Sequence, residues 1–105
     1  MTPFQKDKRE PEADDAKVYF LAHGGTVQGV GYRYFARKHA IQRELTGWVR
    51  NLPNNKVEGE VQGDEKTVEV FLQLLDRGPT SAKVVRFDKE TRELVKDEAE
   101  FEVRR

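Results

Sequence analysis

The stretch Gly25-Thr26-Val27-Gln28-Gly29-Val30-Gly31-Tyr32-Arg33 holds the residue types best suited to gripping an anion. Gly29 and Gly31 allow backbone conformations that turn successive N–H groups toward one point. A helix starting beside them adds unpaired N–H donors and the positive end of its dipole. Arg33 falls in the first turn of that helix, where the dipole disfavours a cation unless an anion lies between them. A planar guanidinium holds two phosphate oxygens at once, so phosphate is the natural guest. A dinucleotide fingerprint would need glycine at position 34, which is Tyr34, and no glycine-lysine-serine or -threonine run exists for a P-loop. Taken alone, the segment reads equally well as a strand-to-helix turn with an exposed arginine.

A second group of residues lies in Thr46-Gly47-Trp48-Val49-Arg50-Asn51. A helix from Arg33 to Leu45 carries the chain about 18 Å from the loop, and a strand from Gly47 to Asn51 brings it back by about 13 Å. Asn51 is then expected at the height of the loop, on a strand able to neighbour the first. A neutral amide there can accept from a water and donate to a phosphoryl oxygen, which is what orienting an attacking water requires. By itself, Asn51 reads more simply as the start of the turn at Pro53.

The elements that must position these residues follow from pattern. Val18-Tyr19-Phe20-Leu21-Ala22 is an apolar run of strand length, ending at Gly24-Gly25. Tyr32 to Leu45 is rich in helix formers, with Phe35, Ala36 and Ala40 on one face and Gly47 closing the helix. Trp48 to Leu52 is a second strand, Pro53 to Lys56 a turn, and Val57 to Val61 a third strand. Asp64 is a candidate N-cap for a helix whose Val68, Phe71, Leu72 and Leu75 form one buried stripe, stopped by Gly78-Pro79. Val84 to Phe87 and Phe101 to Val103 supply two further strands. The order is β-α-β-β-α-β plus a short fifth strand: an α+β, ferredoxin-like plan with two helices packed on one face of a mostly antiparallel sheet. That plan serves many functions, so the site has to identify this one.

Composition narrows the classes. The chain has 105 residues, 36% apolar and 36% charged, with formal net charge zero. One domain is expected, with no general pull toward nucleic acid or anionic membrane. There is no cysteine, which removes disulfides and thiolate chemistry and fits a reducing compartment. No apolar run spans a bilayer and no signal-peptide core leads the chain, so a cytoplasmic monomer is expected. His23 and His39 lack neighbouring ligands, so no metal site and no cofactor are expected. Tyr19, Phe20 and Phe71 read as core rather than as a base-stacking platform. Residues 1–16, with Pro3, Pro11 and dense charge, read as a flexible N-terminal tail before a domain at 17–105.

Together the two groups resemble the acylphosphatase family, whose signature runs glycine-x-valine-glutamine-glycine-valine-x-phenylalanine-arginine, then glycine-aromatic-x-x-asparagine. Gly25 to Arg33 matches at every fixed position except Tyr32, an aromatic exchange, and Gly47, Trp48 and Asn51 match the second block. The likeness continues through Gly63, Gly78-Pro79 and Phe101-Glu102-Val103, and departs at Asn54-Asn55, where aspartate-glycine is common. It implies hydrolysis of small-molecule acyl phosphates to a carboxylate and inorganic phosphate. Arg33 would bind the phosphoryl group and Asn51 orient water, with Gln28, Gly29, Val30, Gly31 and Tyr32 lining the substrate. Some family members bring the terminal carboxylate to the arginine, which here would join Arg105 to Arg33. Two rivals remain: a non-catalytic phosphate-sensing module, which needs no water-orienting amide, and an RNA-binding ferredoxin-like domain, disfavoured by neutral charge and the lack of an aromatic RNA-binding strand motif.

Overall fold

The computed structural model describes residues 11–28 and 31–105. Its elements are β1 (Asp15–Thr26), α1 (Tyr32–Gln42), β2 (Thr46–Leu52), β3 (Lys56–Asp64), α2 (Glu65–Arg77), β4 (Lys83–Arg92) and β5 (Phe101–Arg104). They form one five-stranded sheet in the order β4-β1-β3-β2-β5, antiparallel except for the β2–β5 pair. Helix α1 lies over β2 and β5, and α2 over β1, β3 and β4. This is the expected ferredoxin-like arrangement, extended at one edge by β5.

The core sits between sheet and helices because strand alternation sends Phe20, Ala22, Val49, Val57 and Val61 to the helical side, where all are fully buried. The stripe Val68, Phe71, Leu72 and Leu75 closes on them from α2. Phe71 meets Phe20 and Phe101 edge-on, with centroids 6.2 and 5.8 Å apart. The Asp64 carboxylate caps α2 by accepting from the Thr67 N–H at 3.1 Å, as its sequence position suggests. Tyr19, expected in the core, points the other way: one residue from Phe20, it lies on the open face of the sheet, where its hydroxyl donates to Glu58 at 2.6 Å.

Several boundaries differ from the sequence reading, each for a local reason. β1 starts at Asp15, within the expected tail, because Asp15 and Ala16 pair with Asp64 and Gly63; residues 1–10 of that tail lie outside the described residues. β1 also runs through Gly24-Gly25 to Thr26, with register shifts around Gly24. β4 extends to Arg92 because all of its polar outer half pairs with β1. α1 stops at Gln42 rather than Leu45. Glu44 takes a left-handed conformation (φ 58°), and the N–H groups of Glu44 and Leu45 bond back to Ile41 and Ala40 at 3.1 and 2.9 Å.

Gly47 therefore has a different task from ending α1. Its φ is 140°, and a Cβ there would lie 2.0 Å from the Glu60 carbonyl oxygen of the neighbouring strand. β2 and β3 can approach this closely only with glycine at that position. Gly47→Ala should lower stability by about 3 kcal/mol or more, read as a fall in the denaturant midpoint. An unchanged midpoint would contradict this reading of the strand contact.

Candidate active site

The site is assembled where β1 leaves the sheet. Beyond Gly24 the chain folds so closely that a Cβ on Gly24 would lie 2.4 Å from Val27 Cγ1, and Val27 is fully buried over it. The segment is tied to the turn between β2 and β3. The Asn55 side-chain amide donates to the Gly24 carbonyl at 2.8 Å, and the Gly24 N–H donates back to the Asn55 carbonyl at 3.2 Å. The Gln28 amide nitrogen donates to the carbonyls of Leu52 and Lys56, at 2.5 and 2.8 Å. Asn54 and Asn55 both adopt left-handed backbone, with φ of 65° and 58°. Asparagine tolerates that conformation, so the departure from aspartate-glycine is harmless to the turn.

At the helix start, Gly31 is the N-cap with φ 75°, no side chain caps the helix, and its first turn carries no acidic residue. The first turn of α1 thus brings no anionic group of its own to its N–H groups and dipole. Arg33, the second residue of α1, adds its guanidinium to that field, and its Nη1 donates to the Arg104 carbonyl at 3.0 Å. The Arg104 carbonyl is thus what β5 offers the Arg33 guanidinium, where some family members bring the terminal carboxylate. Tyr32 turns its ring into the core and donates its hydroxyl to the Leu75 carbonyl at 2.6 Å. Burial pushes that phenol's pKa upward. Only the backbone of Tyr32 remains for a substrate.

Asn51 reaches the same place by another route than expected. β3 stands between β1 and β2, so the two do not neighbour each other. The loop after β1 instead crosses the end of β3 at Lys56 and meets the last residues of β2. Asn51 shares its side of β2 with Gly47 and Val49, facing the helices. Its Oδ1 is buried and has no hydrogen-bond partner among the described residues. An unmatched buried acceptor costs about 1–3 kcal/mol, which makes it a mark of function rather than of stability.

Two adjoining cavities share Arg33, Tyr34 and Asn51. One, of about 170 Å³, is completed by Val27, Gly31 and Tyr32. The other, of about 470 Å³, is completed by Val103 and Arg105. Of the expected site residues, Arg33, Asn51, Gly31 and Tyr32 thus line one cavity, Gln28 bonds from the loop to the β2–β3 hairpin, and Gly29 and Val30 lie outside the described residues. Tyr34, 59% exposed, was not anticipated. An aromatic directly following the arginine was the signal available for it.

A larger cavity of about 570 Å³ on the open face of the sheet offers less chemistry, because most of its charges are matched to one another. Arg50 pairs with Glu58 at 2.6 Å, while Lys17 and Arg92 each approach Glu60 at 3.4 Å. Arg92 and Arg104 cover the rings of Tyr19 and Trp48, 4.6 and 4.7 Å from their centroids. Burial and the bond to Glu58 push the Tyr19 phenol up to about 12.

A family model described as Acylphosphatase matches residues 18–103. The chain belongs to the acylphosphatase family. An acylphosphatase of Geobacillus kaustophilus is 46% identical over 79 residues, covering 75% of this chain and 84% of the relative. The structure of an acylphosphatase from Coxiella burnetii superposes with a TM-score of 0.80 at 33% identity, covering 87% of this chain and 94% of that one. The crystal structure of acylphosphatase from Bacillus subtilis gives 0.80 at 28% identity, covering 86% and 99%. The activity is accordingly that of a hydrolase, cleaving acyl phosphates to a carboxylate and inorganic phosphate.

Neither histidine lines the two cavities that Arg33 and Asn51 share. His23 contacts Asp88 at 2.8 Å, and that bond, with one from Arg86, holds the Asp88 carboxyl below its usual range. His39 contacts Arg43 at 3.0 Å and packs its ring 4.5 Å from that of Phe35. Burial, reinforced by Arg43 and Lys38, lowers its pKa. Changing both, His23→Gln with His39→Gln, should leave turnover within a few-fold while a thermal melt confirms folding. A hundredfold loss in a folded variant would make one of them catalytic.

Proposed function

We propose that Arg33 and the N–H groups at the start of α1 hold the phosphoryl group while Asn51 orients the water that attacks phosphorus. The observation that carries this reading is the Oδ1 of Asn51, buried and without a partner among the described residues, beside the cavity it shares with Arg33. An acceptor so placed takes one O–H of a water and turns a lone pair toward the phosphorus. As the new P–O bond forms, the bond to the acyl oxygen breaks and its electron pair leaves on a carboxylate. The conjugate acid of that carboxylate has a pKa of about 4, so no protein acid is required. The water's proton passes to a phosphoryl oxygen of the substrate.

Catalysis then rests on placement and on charge stabilisation, as in phosphoryl transfer generally. The smaller cavity takes the phosphoryl group, and the acyl portion extends into the larger one, past Tyr34 toward Val103 and Arg105. Both assigned side chains come from one chain, so a monomer suffices. Matched charges and the arginines over Tyr19 and Trp48 weigh against a nucleic-acid platform on the open sheet face. No helix among the described residues is long and apolar enough to cross a membrane. Together with the lack of cysteine, this supports placement in the cytoplasm.

The two roles separate kinetically. Arg33→Gln should weaken inhibition by inorganic phosphate and also depress turnover. Asn51→Ala should keep phosphate affinity within a few-fold while kcat falls by roughly 10²–10³. If Asn51→Ala instead loses phosphate affinity and turns over normally at saturation, the assignment fails. Among the described residues no group of three or more His, Asp or Glu side chains is placed to hold a metal. Activity should therefore survive prolonged chelation and desalting; loss that a divalent ion restores would contradict the mechanism.

A further inference from the structure

Gln28 stands where the loop and the hairpin meet. Its carboxamide spends both N–H donors on protein, one on the carbonyl of Leu52 and one on that of Lys56. These two residues face each other as the last pair of the β2–β3 ladder, and Leu52 directly follows Asn51. The other side-chain tie between loop and hairpin among the described residues, Asn55 to Gly24, lies on the β1 side of the bulge. Gln28 is thus the described side chain that fastens the helix-proximal half of the loop, a short stretch before Gly31 and Arg33, to the strand end carrying Asn51.

We infer that Gln28 is a positioning residue, setting the separation between the phosphate-holding loop and Asn51 rather than gripping the phosphoryl group with its side-chain amide. The inference rests on the roles proposed for Arg33 and Asn51. A misplacement on the scale of 1 Å can cost on the order of 10² in rate, so a tether of this kind acts on turnover more than on binding. Its loss leaves the fold in place, since Val27 remains buried over Gly24 and Asn55 still bonds Gly24.

Gln28→Glu offers a readout that a merely structural role would not give. Ionised, the new carboxylate has no donor and faces two carbonyl oxygens. Protonated, it donates to one of them and restores part of the tether. At pH 8, kcat for a simple aryl acyl phosphate should fall roughly 10- to 100-fold. It should recover as pH drops toward 5, producing an acidic limb absent from the parent enzyme. Inhibition by inorganic phosphate should stay within a few-fold of the parent throughout. Gln28→Ala introduces no charge and should lose turnover at every pH, without that limb. Combined with Asn51→Ala, it should cost little beyond Asn51→Ala alone, because the tether acts through Asn51. Thermal melts establish that each variant is folded, and the alanine series decides should Gln28→Glu not fold. Additive losses in the double variant, or phosphate affinity falling in step with ionisation at position 28 while saturated turnover holds, would overturn the inference. Full activity of Asn51→Ala on its own would instead sink the proposed role of Asn51, and so is distinguishable.

Discussion

Asn55 and Gln28 reach across the end of the sheet to backbone carbonyls of segments that no strand ladder joins there. On the inference drawn above, this seam sets where Arg33 stands relative to Asn51. With β3 lying between β1 and β2, regular pairing cannot bring the two halves of the site together. The loop has to cross the end of β3, and carbonyls left at a strand end need partners of their own. Side-chain amides meet both needs, because one group can supply two donors without carrying a charge. A lysine at either place would bring a cation into competition with Arg33 for the incoming anion.

The arrangement around the cavity is locally unfavourable and depends on the rest of the molecule to hold it. A cation in the first turn of a helix opposes the dipole, and the turn has no acid or side-chain cap to offset it. The Asn51 acceptor is buried without a partner among the described residues. In the proposed mechanism both features are eased by the same event, the arrival of a phosphoryl group with its attacking water. Support comes from rigid neighbours: Tyr32 anchors the start of α1 to the Leu75 carbonyl, and the aromatic cluster of Phe20, Phe71 and Phe101 fixes sheet to helices. A strained centre on a well-packed frame is the usual form of a site that works by preorganisation.

Much of the frame was legible because strong periodicity leaves little choice. The α2 stripe with its Asp64 cap, the asparagine turn and the placement of Arg33 in a first helical turn all follow from pattern and backbone preference. What escaped was set by partners distant in sequence. The outer half of β4 is polar and becomes strand only by pairing with β1, and Tyr19 owes its outward aim to the register that puts Phe20 inside. The end of α1 was misplaced because Glu44, not a glycine, adopts the left-handed turn, while Gly47 is required by the approach of Glu60. At the site, residue types pointed to Arg33 and Asn51, but not to the strand that separates β1 from β2, the hairpin carbonyls that occupy Gln28, or Tyr34 at the mouth.

A crystal structure of the enzyme with orthovanadate tests the central claim most directly, because vanadate reproduces the five-coordinate geometry of attack at phosphorus. The account predicts equatorial oxygens on the Arg33 guanidinium and the first N–H groups of α1. It also predicts one apical oxygen at about 3 Å from Asn51 Oδ1, the position of the attacking water. Vanadate seated away from Arg33, or bound with its apical oxygens remote from Asn51 and the amide holding only an equatorial one, would contradict it.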